Sequence, residues 1–548
     1  MIPRNTWPHT HRDLVQHYYT LHDAAVESGK YEPWVYPWGT LGATFVIIYL
    51  LIDHRKRPWL RRARFLVFAV NLLYSIYTIK YVRAKNVAMT MGVGLITLWS
   101  SIWVFTILVC YDAQKDFMRI ERLEGVFRGR KAGEKGGNNT DTGETTSNGT
   151  TPISSNTKGQ LGPSHRTGEY AWQPYPLTPF IERVDWVLDI FCNFRGAGWS
   201  WRSAAIPPPP KLIQLQLIRN TPPFPSLPPN AFKRHPFQPR THATHHTLLI
   251  SNLKTLFAGY IILDILKTFI IHDPYFWGLV DSLPAPYLPY TPLLTTYPSL
   301  LRILRLAISQ FAILYALQTI FSLGPLFFVG LLGTERLGAR GEAWMYPDAW
   351  GPYTAVLDRG LIGWWSGWWH QTFRVGFEAP SRAILSTMGK NMNRKSPAAR
   401  AMQLIMAFGL SAALHATGSF TSHGSTYPLS GSLLFFILQG LGCFIEAILR
   451  PLIFPSASFS SSSSNKLPRW LNRALTFVYV YVWLYFTAGL LCDDFARGGV
   501  WLLEPVPVSI LRGPLGLGVT GDSWWCWGDM GISWYRDPKA WYKSGLAL

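Results

Sequence analysis

Apolar residues in this chain gather in blocks of membrane length, separated by polar and charged stretches. Uninterrupted apolar runs of about 20 residues, enough to cross a bilayer, lie near 36–53, 64–82, 88–111, 247–271, 302–332, 400–418, 430–449 and 471–492. The pattern predicts an all-α polytopic membrane protein with about eight transmembrane helices. The first run follows a polar leader, MIPRNTWPHTHRDL, with no short apolar region or small-residue cleavage site. No removable signal peptide is expected, and the first span directs insertion.

Composition agrees with this reading. Of the 548 residues, 48% are hydrophobic and only 15% charged, against about 25% charged in ordinary soluble domains. A formal net charge of +20 would suggest nucleic acid in a soluble protein, but here the cations sit beside the spans, where they orient the chain. The stretches HRKRPWLRRAR (54–64), the loop after 112, the region 333–400 and the loop after Arg450 are basic, whereas 272–300 has no lysine or arginine. With eight spans the basic loops share one side, taken as cytosolic, and both termini lie across the membrane. KYVRAK (80–85) runs against that assignment. The bilayer is thus the expected partner, and nucleic acid is not.

Three regions follow: 1–111 with three spans, a cytosolic loop 112–246, and a membrane domain 247–548. Within the loop, 129–168 is rich in Gly, Ser, Thr and Asn and is expected to be disordered. SASFSSSSSNK (456–466) reads as a second tether, and IPPPP (206–210) and TPPFPSLPPN (221–230) as stiff connectors. IERVDWVLDIFCNFRGAGWSWR (181–202) has helical apolar spacing and reads as an amphipathic segment lying on the membrane. The sequons at Asn138 and Asn148 fall on the cytosolic side and are read as unmodified. Cys110, Cys192, Cys443, Cys492 and Cys526 have neither zinc-site nor disulfide-framework spacing, and no metal is implied.

Ionisable residues at membrane depth are costly and are functional candidates. Asp264 and Lys267 stand one helical turn apart and could pair, most simply to orient their helix. FGLSAALHATG (408–418) sets His415 among small residues, with Ser411 one turn before it; such residues let helices approach closely. A lone histidine there could also simply bond a neighbouring helix. Gln439, Cys443 and Glu446, at i, i+4 and i+7, form a stripe expected to face the bundle interior. GWWSGWWHQTFR (363–374), placed on a helix, separates into a smooth stripe (Gly363, Gly367, Gln371), two aromatic ones (Trp364 and Trp368; Trp365, Trp369 and Phe373) and a polar one (Ser366, His370, Arg374). Tryptophans favour the membrane interface, so an anchor is the plain reading. Arg374, with its fork of donors, is the candidate for phosphate. Two histidines, one on an amphipathic helix and one in a span, suggest acyl transfer from a soluble donor to a lipid-soluble acceptor.

These residues resemble the wax-synthase-like branch of the membrane-bound O-acyltransferases, in particular fungal members from secondary-metabolite pathways. WWSGWWHQTFR resembles that group's Trp–His–Gln motif, LSAALHATG its Leu–His motif, FFILQGLGCFIE its following span, and RVDWVLDIFCNFRGAGWSWR its Arg–Gly aromatic segment. DDFARGGVWLLEPVPVSILRGPLGLG and the Trp-rich tail resemble its C-terminal signature, and Asp358, Arg359 and Gly360 stand where relatives commonly show Ser–Leu–Arg. The resemblance implies a membrane-bound O-acyltransferase-like fold with interfacial amphipathic helices, residence in the endoplasmic reticulum, His415 as catalytic base and His370 as a second polar group. Acyl-CoA, expected to be acetyl-CoA, is then the co-substrate, and no cofactor is tightly bound. The acceptor is a hydrophobic alcohol such as a terpenoid. Trp365, Trp369, Gln371, Arg374, Ser411, Gln439 and Glu446 are the candidates for contacting substrate or coenzyme A. A long-chain wax-ester synthase is the close alternative. A proton-coupled transporter using Asp264, Lys267, Glu446 and the histidines is the alternative of another class, though no inverted halves or paired broken helices are seen.

Overall fold

The computed structural model describes residues 10–126, 168–220, 232, 236–387, 396–453 and 468–548, apart from 287, 289 and 529. The expected disordered stretch up to 167, the tether 456–466 and the connector 221–230 lie outside the described residues. The α-helices of ten residues or more are α1 (His11–Glu27), α2 (Leu41–Leu51), α3 (Pro58–Tyr81), α4 (Val87–Val104), α5 (Phe180–Cys192), α6 (Lys211–Asn220), α7 (His245–His272), α8 (Pro298–Pro325), α9 (Thr354–Gly363), α10 (Arg374–Thr387), α11 (Pro397–Thr421), α12 (Leu434–Ile453) and α13 (Arg469–Arg497). Three small sheets join them: β1 (Glu32–Pro33) with β3 (Val82–Arg83), β4 (Arg119–Arg122) with β5 (Tyr170–Gln173), and β2 (Val35–Tyr36) with β7 (Gly545–Ala547) and β6 (Ser533–Tyr535).

Among the described residues, seven helices are long and apolar enough to cross a membrane, not eight. The run 36–53 yields only α2, whose 11 residues rise about 16 Å against a hydrocarbon core of about 30 Å. Polar and proline residues at both ends stop it. It nevertheless runs antiparallel to α3: the Tyr74 hydroxyl donates to the Trp38 carbonyl, and the Tyr49 hydroxyl to the Leu60 carbonyl. The order of the ends is therefore kept. His54 and Arg61 meet Asp112, Ala339 donates to Glu121, and Arg473 pairs with Asp358, so the basic stretches share one end of the bundle. At the other end the Leu548 amide donates to the Trp34 carbonyl, and His11 lies 3.5 Å from Glu504. KYVRAK lies at this second end, where Lys85 pairs with Asp23 and Arg83 packs on Tyr31.

The polar groups of α7 that could pair with each other find other partners in the protein. Asp264 and Lys267 do not pair. Asp264 accepts from the Ser509 hydroxyl and the amides of Ile510 and Leu511, while Lys267 donates to the Trp501 carbonyl. Together they clip the segment after α13 onto α7. The segment 181–202 begins with an amphipathic helix on which Ile181 and Leu188 are exposed. Trp186, Val187 and Ile190 of α5 are fully buried against Tyr175, Trp199 and Trp103, and Asp185 and Asp189 on the polar side bond Arg119.

The small residues around His415 act as expected in part. A Cβ on Gly94 of α4 would stand 2.1 Å from the Thr417 carbonyl oxygen, so α4 and α11 touch there. Thr90 and Thr421 exchange hydrogen bonds across the same contact. Gly409, by contrast, has open space beside it.

Candidate active site

The stretch GWWSGWWHQTFR is not one helix. α9 kinks at Gly360, whose φ of 62° favours glycine. The chain then forms a π-helical turn over Trp364–Trp368, Trp369 is extended (ψ 147°), and α10 begins at Arg374. The predicted stripe of Ser366, His370 and Arg374 therefore does not exist as a line. Carbonyls freed at the helix end need donors, and Gln371 and Arg374 supply them. Gln371 Nε2 donates to the carbonyls of Trp365 and Trp369, at 2.9 and 2.5 Å. Arg374 Nη1 donates to the Ser366 carbonyl and to Gln371 Oε1, and its Nε donates to Glu378 at 2.6 Å. Nε and Nη1 of Arg374 are thus engaged in holding the turn.

Glu446 has a similar task. Its carboxylate accepts from the Ile362 amide at 2.9 Å, and a Cβ on Gly360 would meet it at 1.9 Å. An anion is thereby held at the start of the helical turn after the kink, where the helix dipole favours it. Gln439, Cys443 and Glu446 are all buried, so the stripe does face inward. Gln439 Nε2 donates to Thr487 on α13.

The kink and turn deliver His370 into an aromatic enclosure. Its ring lies 5.7 Å from both Phe321 and Trp350, 5.4 Å from Trp369 and 5.8 Å from Phe373. Trp350 reaches it because Gly351 donates to the Trp368 carbonyl, an approach so close that a Cβ on Gly351 would stand 1.8 Å from the Gly367 oxygen. His415, on α11, stacks on Phe436 at 4.3 Å and 12°. Trp365 packs on Phe436 and on Trp369, so rings run continuously from one histidine to the other. Ser411 sits one turn before His415 and is partly buried.

Both imidazoles are partly buried. The Nδ1 of each, the indole nitrogens of Trp350 and Trp365 and the Oε1 of Gln439 are buried without a hydrogen-bond partner. Buried polar groups are ordinarily paired, and a cluster of unpaired ones marks a place where a ligand's polar atoms would be met. Burial, then the influence of His415 and Arg195, pushes His370 down to about 3, so it is neutral at ordinary pH. Arg195 is fixed by donating to the carbonyls of Pro347 and Asp348. Phe321 and Trp350 carry no chemical signature that sequence reasoning could have used for the site, whereas Phe436 and Arg195 lie in quoted segments, Arg195 as the arginine of the Arg–Gly aromatic segment, without a role of their own being read there.

Residues 346–438, which contain both histidines, match the model of the membrane bound O-acyl transferase family. The likeness to that family is carried by this segment. Among curated proteins it is 24% identical to the O-mevalon transferase yanI of Aspergillus niger over 280 residues, 49% of this chain and 53% of that one. It is also 24% identical to the O-mevalon transferase macI of Penicillium terrestre, over 55% of this chain and 61% of the relative, and to the acetyltransferase aurG of Calcarisporium arbuscula, over 32% and 39%. The chain thus spans about half the length of the curated relatives it matches. No solved structure matches it.

Proposed function

We propose that this protein is a membrane-bound O-acyltransferase that transfers an acyl group, acetyl from acetyl-CoA in the first instance, onto a hydroxyl of a lipophilic secondary metabolite such as a terpenoid or meroterpenoid. The observation that carries the reading is the pair of histidines, each with an unpaired buried Nδ1, joined by one run of aromatic rings within the family-matched segment. The names of the relatives, two O-mevalon transferases and an acetyltransferase, support O-linked transfer.

In this reading His415 is the general base. It takes the proton of the acceptor hydroxyl as the oxygen attacks the thioester carbonyl, a role contributing about 10²–10⁴-fold. The tetrahedral intermediate collapses with cleavage of the C–S bond, and the proton passes from His415 to the departing thiolate. His370, neutral, donates a hydrogen bond to the developing oxyanion or orients the thioester. The rings between the two histidines exclude water, and hydrolysis is the competing reaction. Trp365, Trp369, Ser411 and Gln439 are in this reading the residues that meet the substrates, whereas Gln371, Arg374 and Glu446 hold the surrounding backbone in place. The basic end of the bundle faces the cytosol, and the endoplasmic reticulum is the expected membrane.

The test is ester formation. Microsomes containing the protein, given labelled acetyl-CoA and a panel of hydroxylated terpenoids, form labelled ester, and His415→Ala abolishes it. Unchanged ester formation in that variant removes His415 from the chemistry. A long-chain acyl-CoA run in parallel distinguishes wax-ester synthesis.

A further inference from the structure

Outside the reaction site, α7 and α8 enclose an open groove of about 790 Å³ near the basic end of the bundle. No acidic residue lines it; Arg240, His246 and Lys254 do. Arg240 is steered by Ser251, to which it donates at 2.7 Å, and by Asp348 at 3.4 Å. His246 and Lys254 are exposed and have no partner among the described residues. They lie eight residues apart on the same side of α7, which puts Lys254 about 12 Å further along the axis. Helical side chains lean toward the N-terminus, so the Lys254 ammonium reaches back toward the end where His246 and Arg240 stand.

Deeper in the groove, Tyr315 and Gln318 of α8 project polar groups that likewise make no hydrogen bond among the described residues. Unpaired polar groups on the outer surface of a spanning helix pair are costly against hydrocarbon. An occupant that met them would bear negative charge at its top, hydrogen-bonding groups below and an apolar tail compatible with the bilayer. An anionic phospholipid has that order of groups.

We propose that this groove binds the phosphate-bearing headgroup of an anionic membrane phospholipid, with Arg240, His246 and Lys254 on the phosphate and Tyr315 and Gln318 on the headgroup's remaining oxygens. The proposal stands apart from the acyl-transfer reading and survives or fails separately from it.

The full chain, purified in detergent, is titrated with phosphatidylinositol or phosphatidylcholine, and bound lipid is counted by native mass spectrometry. The wild type is expected to prefer phosphatidylinositol, and the double variant His246→Gln with Lys254→Gln to lose about tenfold in affinity. Lys254→Arg, which keeps the charge, retains binding and controls for folding. Equal binding by wild type and double variant, or no preference between the two lipids, overturns the proposal. Displacement of the lipid by equimolar coenzyme A or inorganic phosphate also overturns it, because the groove would then be a site for soluble phosphates.

Discussion

His370 stands in a ring of four aromatic side chains, which fixes the plane of an imidazole whose Nδ1 has no protein partner. Such a group is oriented for a ligand, and its value lies in hydrogen bonding rather than in charge. His370→Asn is therefore expected to keep a substantial part of the ester-forming rate, and His370→Ala to lose about 10²-fold or more, the usual cost of removing one oxyanion donor. Equal rates in wild type and His370→Ala would reduce the residue to packing. The pH dependence is a second readout. Because burial lowers His370 to about 3, its neutral form persists as pH falls through the ordinary histidine range, and it protonates only far below that range. A rate profile measured between pH 5 and 8 should keep its shape in His370→Asn. Loss of an acidic limb near pH 6 in that variant would contradict the neutral assignment.

At the scale of elements, the apolar spans were legible because a bilayer demands long unbroken runs, and six of the spans read from the sequence recur as separate long helices with nearly the same ends. The run near 302–332 also recurs, but as a longer path that continues through a π-helical turn. GWWSGWWHQTFR was not legible in the same way. Four-residue spacing assumes a continuous helix, and the break after Trp368 is set by distant partners: Glu446 at the Gly360 kink and Gly351 against Gly367. The histidines could be picked out because polar residues at depth are rare. Phe436 could not, because phenylalanine in an apolar span has no distinguishing chemistry until its stack on His415 is seen. The roles of Gln371 and Arg374 also emerge only with the break. If Arg374 serves the turn through Glu378, then Arg374→Gln and Glu378→Gln should injure the enzyme alike, each lowering kcat and thermal stability with little selective effect on the KM for acyl-CoA. If Arg374 instead held the donor's phosphate, Arg374→Gln would raise that KM selectively and Glu378→Gln, which frees the guanidinium, would not.

Across the whole molecule, the charged groups that a transporter would use as a relay are held in separate, fixed pairs. Glu446 is bound to the α9 kink, Asp264 to residues 509–511, and Lys267 to the Trp501 carbonyl near Glu504. Burial opposes the charge on Glu504, yet Lys267, a hydrogen bond from His11 and Arg512 hold its carboxyl well below the usual range. These contacts bind the chain after α13 to α7 and to the N-terminal helix. They are ties of architecture, and the most demanding is at Asp264, where a buried carboxylate accepts three hydrogen bonds. Asparagine there would turn its NH₂ toward backbone amides, donor against donor, or toward the Ser509 hydroxyl, whose oxygen already accepts from the Arg512 amide and Nε and whose proton would lose its acceptor. The cost of such a buried mismatch is about 2–4 kcal/mol. Lys267→Met should cost less, because Arg512 still pairs with Glu504 at 2.7 Å and the methionine stays apolar. Thermal unfolding of the detergent-purified variants is expected to rank them wild type, Lys267→Met, then Asp264→Asn. At a temperature where both remain folded, both should still form ester, since neither residue is among those around His370 and His415. A reversed order would mean that the lysine, not the carboxylate, is the main clip. Loss of ester formation in folded Asp264→Asn would connect this network to the chemistry and restore a proton path as a reading of the fold.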